Sequence, residues 1–239
     1  MIFFDIDDTL MMNSRAQTQA ALRFWDEFSD RLTPTRQEFP AVWDAVMQKH
    51  FAACAAGRIS FEEHRRRRMQ EILGAEDKDG SAFQAYLAHY EREWALFDDV
   101  LPCLDALNGA PLGIISNGNG DQQRRKLHHL GLADRFVCVV ISEDLGVWKP
   151  NPEIFRAACK EAGASPEDCV YVGDSLLVDA RASQAAGMRG IWLNRNSLPA
   201  SNAGVPVIRS LSELPTLIAS EGTAEWSRVS TTSHSPSAI

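Results

Sequence analysis

The chain opens Met1-Ile2-Phe3-Phe4-Asp5-Ile6-Asp7-Asp8-Thr9-Leu10, and the reading of these ten residues decides the fold. Ile2-Phe3-Phe4 is a short run of β-branched and aromatic side chains with the composition of a buried strand, and it stops abruptly at carboxylates. In an open parallel sheet the carboxyl ends of the strands are where ligands bind. Asp5, Asp7 and Asp8 at one strand end repel one another and raise one another's pKa unless a cation neutralises them. That favours a hard metal with oxygen ligands, Mg²⁺ before others. The plainer reading is a strand running into a turn, with Asp and Thr capping a helix or bonding their own backbone.

The remaining sequence decides between the two. From Ser14 to about Phe97 the apolar spacing is helical. Ala21, Leu22, Trp25 and Phe28 mark one helix and Phe39, Val42, Trp43, Val46 and Met47 a second, with Thr33-Pro34 between them. A third starts at Ser60, where Ser60-Phe61-Glu62-Glu63 has capping-box spacing, and ends at Gly74. A fourth covers roughly residues 82–95. The reading is a helical bundle with its own core, residues 14–97, inserted after the first strand.

Beyond a short helix near residues 100–107 the pattern becomes strands alternating with helices. Strands are expected at residues 112–115, 137–141, 169–172 and 190–193, and Asn151-Pro152 supplies an N-cap and first helical residue between two of them. A last strand and helix fit residues 205–208 and 211–218, and a Ser/Thr-rich tail without periodicity follows. Alternating β and α units imply a parallel sheet with right-handed crossovers. The fold class is therefore α/β, a Rossmann-like parallel sheet made of residues 1–13 and 98–219, carrying an inserted α-helical cap, with residues 220–239 as a tail.

Composition bounds the partners. At 239 residues, 45% hydrophobic and 23% charged, the chain is that of an ordinary globular protein. A net charge of −8 argues against nucleic acid, whose binders neutralise phosphates with Lys and Arg. Five scattered cysteines without a CxxC read as reduced core thiols. Ile2-Phe3-Phe4 is too short for the apolar part of a signal peptide, and no run approaches the ~18 apolar residues of a membrane span. A cytoplasmic protein is expected, with neither a nucleic acid nor a membrane as partner.

Four strand ends bring polar residues to one edge of such a sheet. The first offers Asp5, Asp7 and Thr9, and the second Ser116 and Asn117. Lys149 follows the third, and the fourth gives Gly173-Asp174-Ser175-Leu176-Leu177-Val178-Asp179. Acids for a metal, donors for oxyanions and one lysine are the parts that phosphoryl transfer needs. Taken singly, Lys149 is an ordinary surface lysine, Ser116-Asn117-Gly118 a turn, and Asp179 a first-turn helix acid. Those readings weaken because the strand-end positions coincide.

Asp5-Ile6-Asp7-Asp8-Thr9, Ser116-Asn117, Lys149-Pro150 and Gly173-Asp174 through Asp179 resemble, in order, the four motifs of the haloacid dehalogenase-like (HAD) superfamily. The insertion after the first motif resembles the cap of its subgroup with a cap between motifs one and two. The resemblance implies Asp5 as nucleophile, forming an aspartyl-phosphate. It implies Asp7 as general acid and then base, with its backbone carbonyl on Mg²⁺ beside Asp5 and Asp174. Thr9, Ser116, Asn117 and Lys149 would bind the phosphoryl oxygens, and Asp179 would orient Lys149 or metal-bound water. Dehalogenase members lack the second acid of motif one, because a halide leaving group needs no proton; Asp7 therefore favours phosphate ester chemistry. A phosphatase acting on a small phosphorylated metabolite, a sugar phosphate or nucleotide, is the leading reading. A phosphosugar mutase shares the fold and first motif, and a binding module that keeps only the fold is a third reading.

Specificity is expected from the cap, which closes over the crevice. Arg58 lies in the loop between its second and third helices, and Arg65-Arg66-Arg67-Arg68 follow on the third. Four consecutive helical residues fan around most of a turn, so most are a solvated face. Arg65 and Arg68 share the side of Phe61 and Ile72 and are the pair expected to face inward. One of these, or Arg58, is expected to contact an anionic group of the substrate. Met11, Met12 and Trp148 are read mainly as packing, and none of the six histidines has metal-ligand spacing.

Overall fold

The computed structural model describes residues 1–75 and 77–220; the Ser/Thr-rich tail from Glu221 lies outside the described residues. Six parallel strands form one sheet: β1 (Ile2–Phe4), β2 (Leu112–Ser116), β3 (Cys138–Ile141), β4 (Val170–Gly173), β5 (Arg189–Leu193) and β6 (Val207–Ile208). Their order is β3-β2-β1-β4-β5-β6. β1 is central, pairing Ile2 with Leu112 and Val170, and Phe4 with Ile114 and Val172. Strand order reverses between β1 and β4, the switch point at which doubly wound sheets open a crevice.

Period-two alternation explains why so short a strand can hold the centre. Ile2 and Phe4 join the apolar cluster on one face, and Phe3 packs with Ile115, Phe155 and Tyr171 on the other. A Cβ at Gly113 would sit 2.6 Å from the Phe3 ring, so the neighbouring strand yields space to that side chain.

The insertion holds four helices, α1 (Asn13–Phe28), α2 (Phe39–Ala55), α3 (Phe61–Leu73) and α4 (Ser81–Arg92). Ser60 caps α3 by accepting the Glu63 N–H at 3.1 Å, and Gly74 ends it in the left-handed region at φ 64°. The expected capping box is only half made: the Glu63 carboxylate turns to Arg66 at 2.8 Å and Arg67 at 2.6 Å. A second difference concerns the core. Phe24, Trp43 and Tyr86 pack together within the insertion, and the apolar cluster they form runs on continuously into Phe4 and Leu10 of the sheet domain.

The two chain crossings into and out of the insertion run side by side. Met11 pairs antiparallel with Leu96, the Met12 N–H donates to the Ala95 carbonyl at 2.9 Å, and the Phe97 N–H donates to the Leu10 carbonyl at 3.1 Å. The remaining helices flank the sheet: α5 (Val100–Ala106), α6 (Gly120–His129), α7 (Ser142–Leu145), α8 (Pro152–Glu161), α9 (Arg181–Ala185) and α10 (Leu214–Ser220). Asn151 caps α8 through the Glu153 N–H with Pro152 in its first turn. No described helix is long and apolar enough to cross a membrane.

Candidate active site

The carboxyl ends of β1, β2 and β4, with the loop after β3, meet the helical insertion around a cavity of about 360 Å³. Asp5, Asp7, Ser116 and Asn117 line it, together with Lys149, Asp174 and Asp179. Residues separated by some 170 positions thus share one crevice, because parallel strands deliver all their carboxyl ends to the same edge.

Lys149 organises the floor. Its ammonium, 5% exposed, donates to Asp5 Oδ1 at 2.8 Å, Asp179 Oδ1 at 2.7 Å and Tyr171 Oη at 2.8 Å, using all three donors. Tyr171 Oη in turn donates to the Ile115 carbonyl at 2.8 Å. Burial pulls the Lys149 pKa down, but the charges of Asp179 and Asp5 outweigh it and hold it above the ordinary lysine value. Asn117 grips the same residue from behind: its Oδ1 accepts the Lys149 N–H at 2.8 Å and its Nδ2 donates to the Lys149 carbonyl at 3.0 Å.

Asp179 sits in a wide turn over Leu176–Ala180, where the Ala180 N–H reaches back to the Ser175 carbonyl. Its Oδ2 accepts the Ser175 N–H at 2.9 Å. Both oxygens are therefore committed, which places Asp179 as the group that fixes Lys149. A Cβ on Gly173 would lie 2.4 Å from Asp179 Cγ, so only glycine lets the strand end and this carboxylate approach so closely.

Carboxylate oxygens of Asp5, Asp174 and Asp179 lie within 4.8 Å of one another. Among the described residues the Asp5 carboxylate is hydrogen-bonded only through Oδ1, and the Asp174 carboxylate accepts no hydrogen bond. Burial pushes the Asp5 carboxyl up to about 6 against the pull of Lys149. Burial, with Asp5 and Asp179 beside it, pushes Asp174 up to about 8. Negative charge crowded beyond what one lysine balances, with free hard oxygen donors, fits a divalent cation such as Mg²⁺. The Asp7 side chain lies outside this group.

Asp7 is held instead from α6. Lys126 Nζ donates to Asp7 Oδ1 at 2.6 Å, and Gln123 Nε2 donates to Asp7 Oδ2 at 3.1 Å and to Ser116 Oγ at 2.8 Å. Sequence reasoning missed both residues. A signal existed: Gln123, Lys126, Leu127 and Leu130 follow i, i+3, i+4, i+7, so two polar residues occupy the inward stripe of an amphipathic helix. Tyr171 was equally legible as the one hydroxyl in a buried strand.

Two residues expected at the substrate do not line the cavity. The Thr9 hydroxyl is fully buried, has no partner among the described residues and does not line the cavity. Asp8 at φ 56° bends the chain away after Asp7, carrying Thr9 into the core. Arg58 is exposed on its loop and does not line the cavity. Arg65 and Arg68 do line it. Trp148 packs on Phe51 and Phe61 of the insertion at 5.6 and 6.3 Å between ring centres, and Met11 is fully buried.

The chain is similar to known proteins throughout this architecture. A family model for haloacid dehalogenase-like hydrolases matches residues 1–187. A glyceraldehyde 3-phosphate phosphatase of Methanopyrus kandleri is 32% identical over 210 residues, 81% of this chain and 83% of its own. A phosphoserine phosphatase of Thermus thermophilus is 28% identical, over 87% of this chain and 94% of its own. The structure of YfnB from Bacillus subtilis, bound to magnesium, superposes with a TM-score of 0.75 at 26% identity, covering 91% of this chain and 97% of that one. With the family model matching residues 1–187, the chain belongs to the haloacid dehalogenase-like hydrolase family.

Proposed function

We propose that the protein is a Mg²⁺-dependent phosphatase that hydrolyses a small phosphomonoester through an aspartyl-phosphate on Asp5. The observation that carries this reading is the division of labour between the two acids of the first loop. Asp5 is pinned at one oxygen by Lys149 with the other unbonded, while Asp7 is held apart by Lys126 and Gln123 in the same cavity.

Asp5 attacks phosphorus, the phosphorus–oxygen ester bond breaks, and Asp7 delivers a proton to the departing oxygen. Asp7 then takes a proton from water as it attacks the aspartyl-phosphate, and the bond to Asp5 breaks to release phosphate. Lys149 and the donors near Ser116 and Asn117 meet the charge of the phosphoryl oxygens. Asp5 and Asp174 would hold Mg²⁺, which supplies charge neutralisation for the approach of two anions. The buried, ordered Asp5–Lys149–Asp179 chain keeps the nucleophile aligned without reorganisation.

The test is phosphate release from a panel of phosphorylated metabolites with Mg²⁺ and with chelator, using Asp5→Asn as control. The proposal expects Mg²⁺-dependent release that the variant loses by at least about a thousandfold. Isomerised sugar phosphate without free phosphate would instead identify a mutase.

A further inference from the structure

The two faces of the cavity have opposite charge. Its five acids, Asp5, Asp7, Asp8, Asp174 and Asp179, all come from the sheet domain. Among the described residues, the insertion lines it with Arg65 and Arg68 and no carboxylate. Both arginines stack on aromatic rings. The Arg65 guanidinium lies 4.8 Å from the Phe61 ring centre and 5.1 Å from Phe83, and that of Arg68 5.1 Å from both Trp43 and Tyr86.

Helix α3 arranges its four arginines against ordinary expectation. Arg66 and Arg67, at the surface, are paired with Glu63. Arg65 and Arg68, toward the cavity, have no ion pair with a carboxylate among the described residues. Arg68 is 6% exposed and its Nε is buried without a hydrogen-bond partner. Aromatic faces partly compensate a guanidinium, but a buried cation left without an anion is costly, and an incoming anion would relieve that cost. Stacking also holds each planar fork rigid, the form suited to a carboxylate or phosphate.

We infer that Arg65 and Arg68 form a second anion subsite, and that the substrate is a phosphomonoester bearing another anionic group, a carboxylate or a second phosphate, at the end remote from the bond that breaks. This rests on the phosphatase reading for the floor of the cavity. The volume of about 360 Å³ suits a small metabolite spanning the two ends. Burial lowers the Arg65 and Arg68 pKa values, yet an arginine starts so high that both stay charged.

The experiment compares matched substrates on the full chain with Mg²⁺: phosphoserine with phosphoethanolamine, 3-phosphoglycerate with glycerol 3-phosphate, and fructose 1,6-bisphosphate with fructose 6-phosphate. The first two pairs test a carboxylate and the third a second phosphate. In at least one pair the doubly anionic member is expected to show kcat/KM higher by about tenfold or more, mainly through KM. Arg68→Met and Arg65→Met should bring that ratio toward one, with Arg68→Lys intermediate. Should a Met variant fail to fold, the wild-type ratios and the Lys variant still decide. Hydrolysis of every singly anionic member as efficiently as its partner overturns the subsite while leaving the phosphatase reading intact. A preference that survives in both Met variants also overturns it. No phosphate release from any substrate overturns both.

Discussion

Lys126 Nζ lies 2.6 Å from Asp7 Oδ1, joining residues 119 positions apart. On the proposed mechanism, the contact orients the acid that meets the leaving oxygen. Lys126→Met should lower kcat by about ten- to a hundredfold with a smaller change in KM. Because Lys126 acts through Asp7, the loss should be larger for an alkyl phosphate than for p-nitrophenyl phosphate, whose leaving group departs without a proton. Steady-state kinetics on the two substrates checks this, and equal losses would show that Lys126 does not serve Asp7.

Asp174 is the acid most strongly disfavoured as an anion, pushed up to about 8 by burial and by its neighbours Asp5 and Asp179. Asp174→Asn removes that repulsion. In chelator the variant should melt at or above the wild-type temperature. Adding Mg²⁺ should raise the wild-type melting temperature and leave the variant unchanged. Thermal melts with and without Mg²⁺ report this independently of turnover; a variant that keeps the Mg²⁺ shift would place the cation elsewhere.

His64 is buried on α3, where burial, followed by the charges of Arg68, His50 and Arg65, pushes its pKa down to about 3. The unfolded chain, with an ordinary histidine, binds a proton below about 6.5. Between those values the unfolded state carries more protons, so stability falls as pH drops from about 6.5 toward 3. His64→Leu should flatten that part of the stability–pH curve. Denaturant unfolding at pH 7, 6, 5 and 4 checks it: the wild type should lose stability relative to the variant at each step down, and parallel curves would refute the account.

Gly173 precedes Asp174, and any side chain there meets the Asp179 carboxylate. Gly173→Ala should displace Asp179 from Lys149, lowering kcat by about tenfold or more and costing about 1–3 kcal/mol of stability. Melting and kinetics on the one variant suffice, and wild-type values for both would show that the turn can yield.

The parts of this molecule legible in its sequence are those decided locally. Ile2-Phe3-Phe4, the cap at Ser60, the stop at Gly74 and the Asn151-Pro152 start each depend on a few adjacent residues. The convergence of Asp5, Ser116, Lys149 and Asp174 was legible because a parallel sheet leaves strand ends only one place to go. Gln123, Lys126 and Tyr171 were not read, since their meaning depends on which residue arrives from another element. Thr9 differs from expectation because the backbone turn at Asp8, rather than residue type, sets where its hydroxyl goes. Arg58 and Arg68 look alike in sequence; only helical phase and packing separate an exposed loop residue from a buried one.

The paired crossings at Met11 and Leu96 form a seam. The two connections are bonded to each other there, so the insertion is tied to the sheet domain along a single edge. The Asp8 N–H bonds the Met11 carbonyl at 2.8 Å, so the seam is stitched directly to the turn that presents Asp7. On the proposed mechanism, the seam that seats the insertion and the loop that carries the proton donor are therefore one bonded unit, and a change at either would be felt at the other.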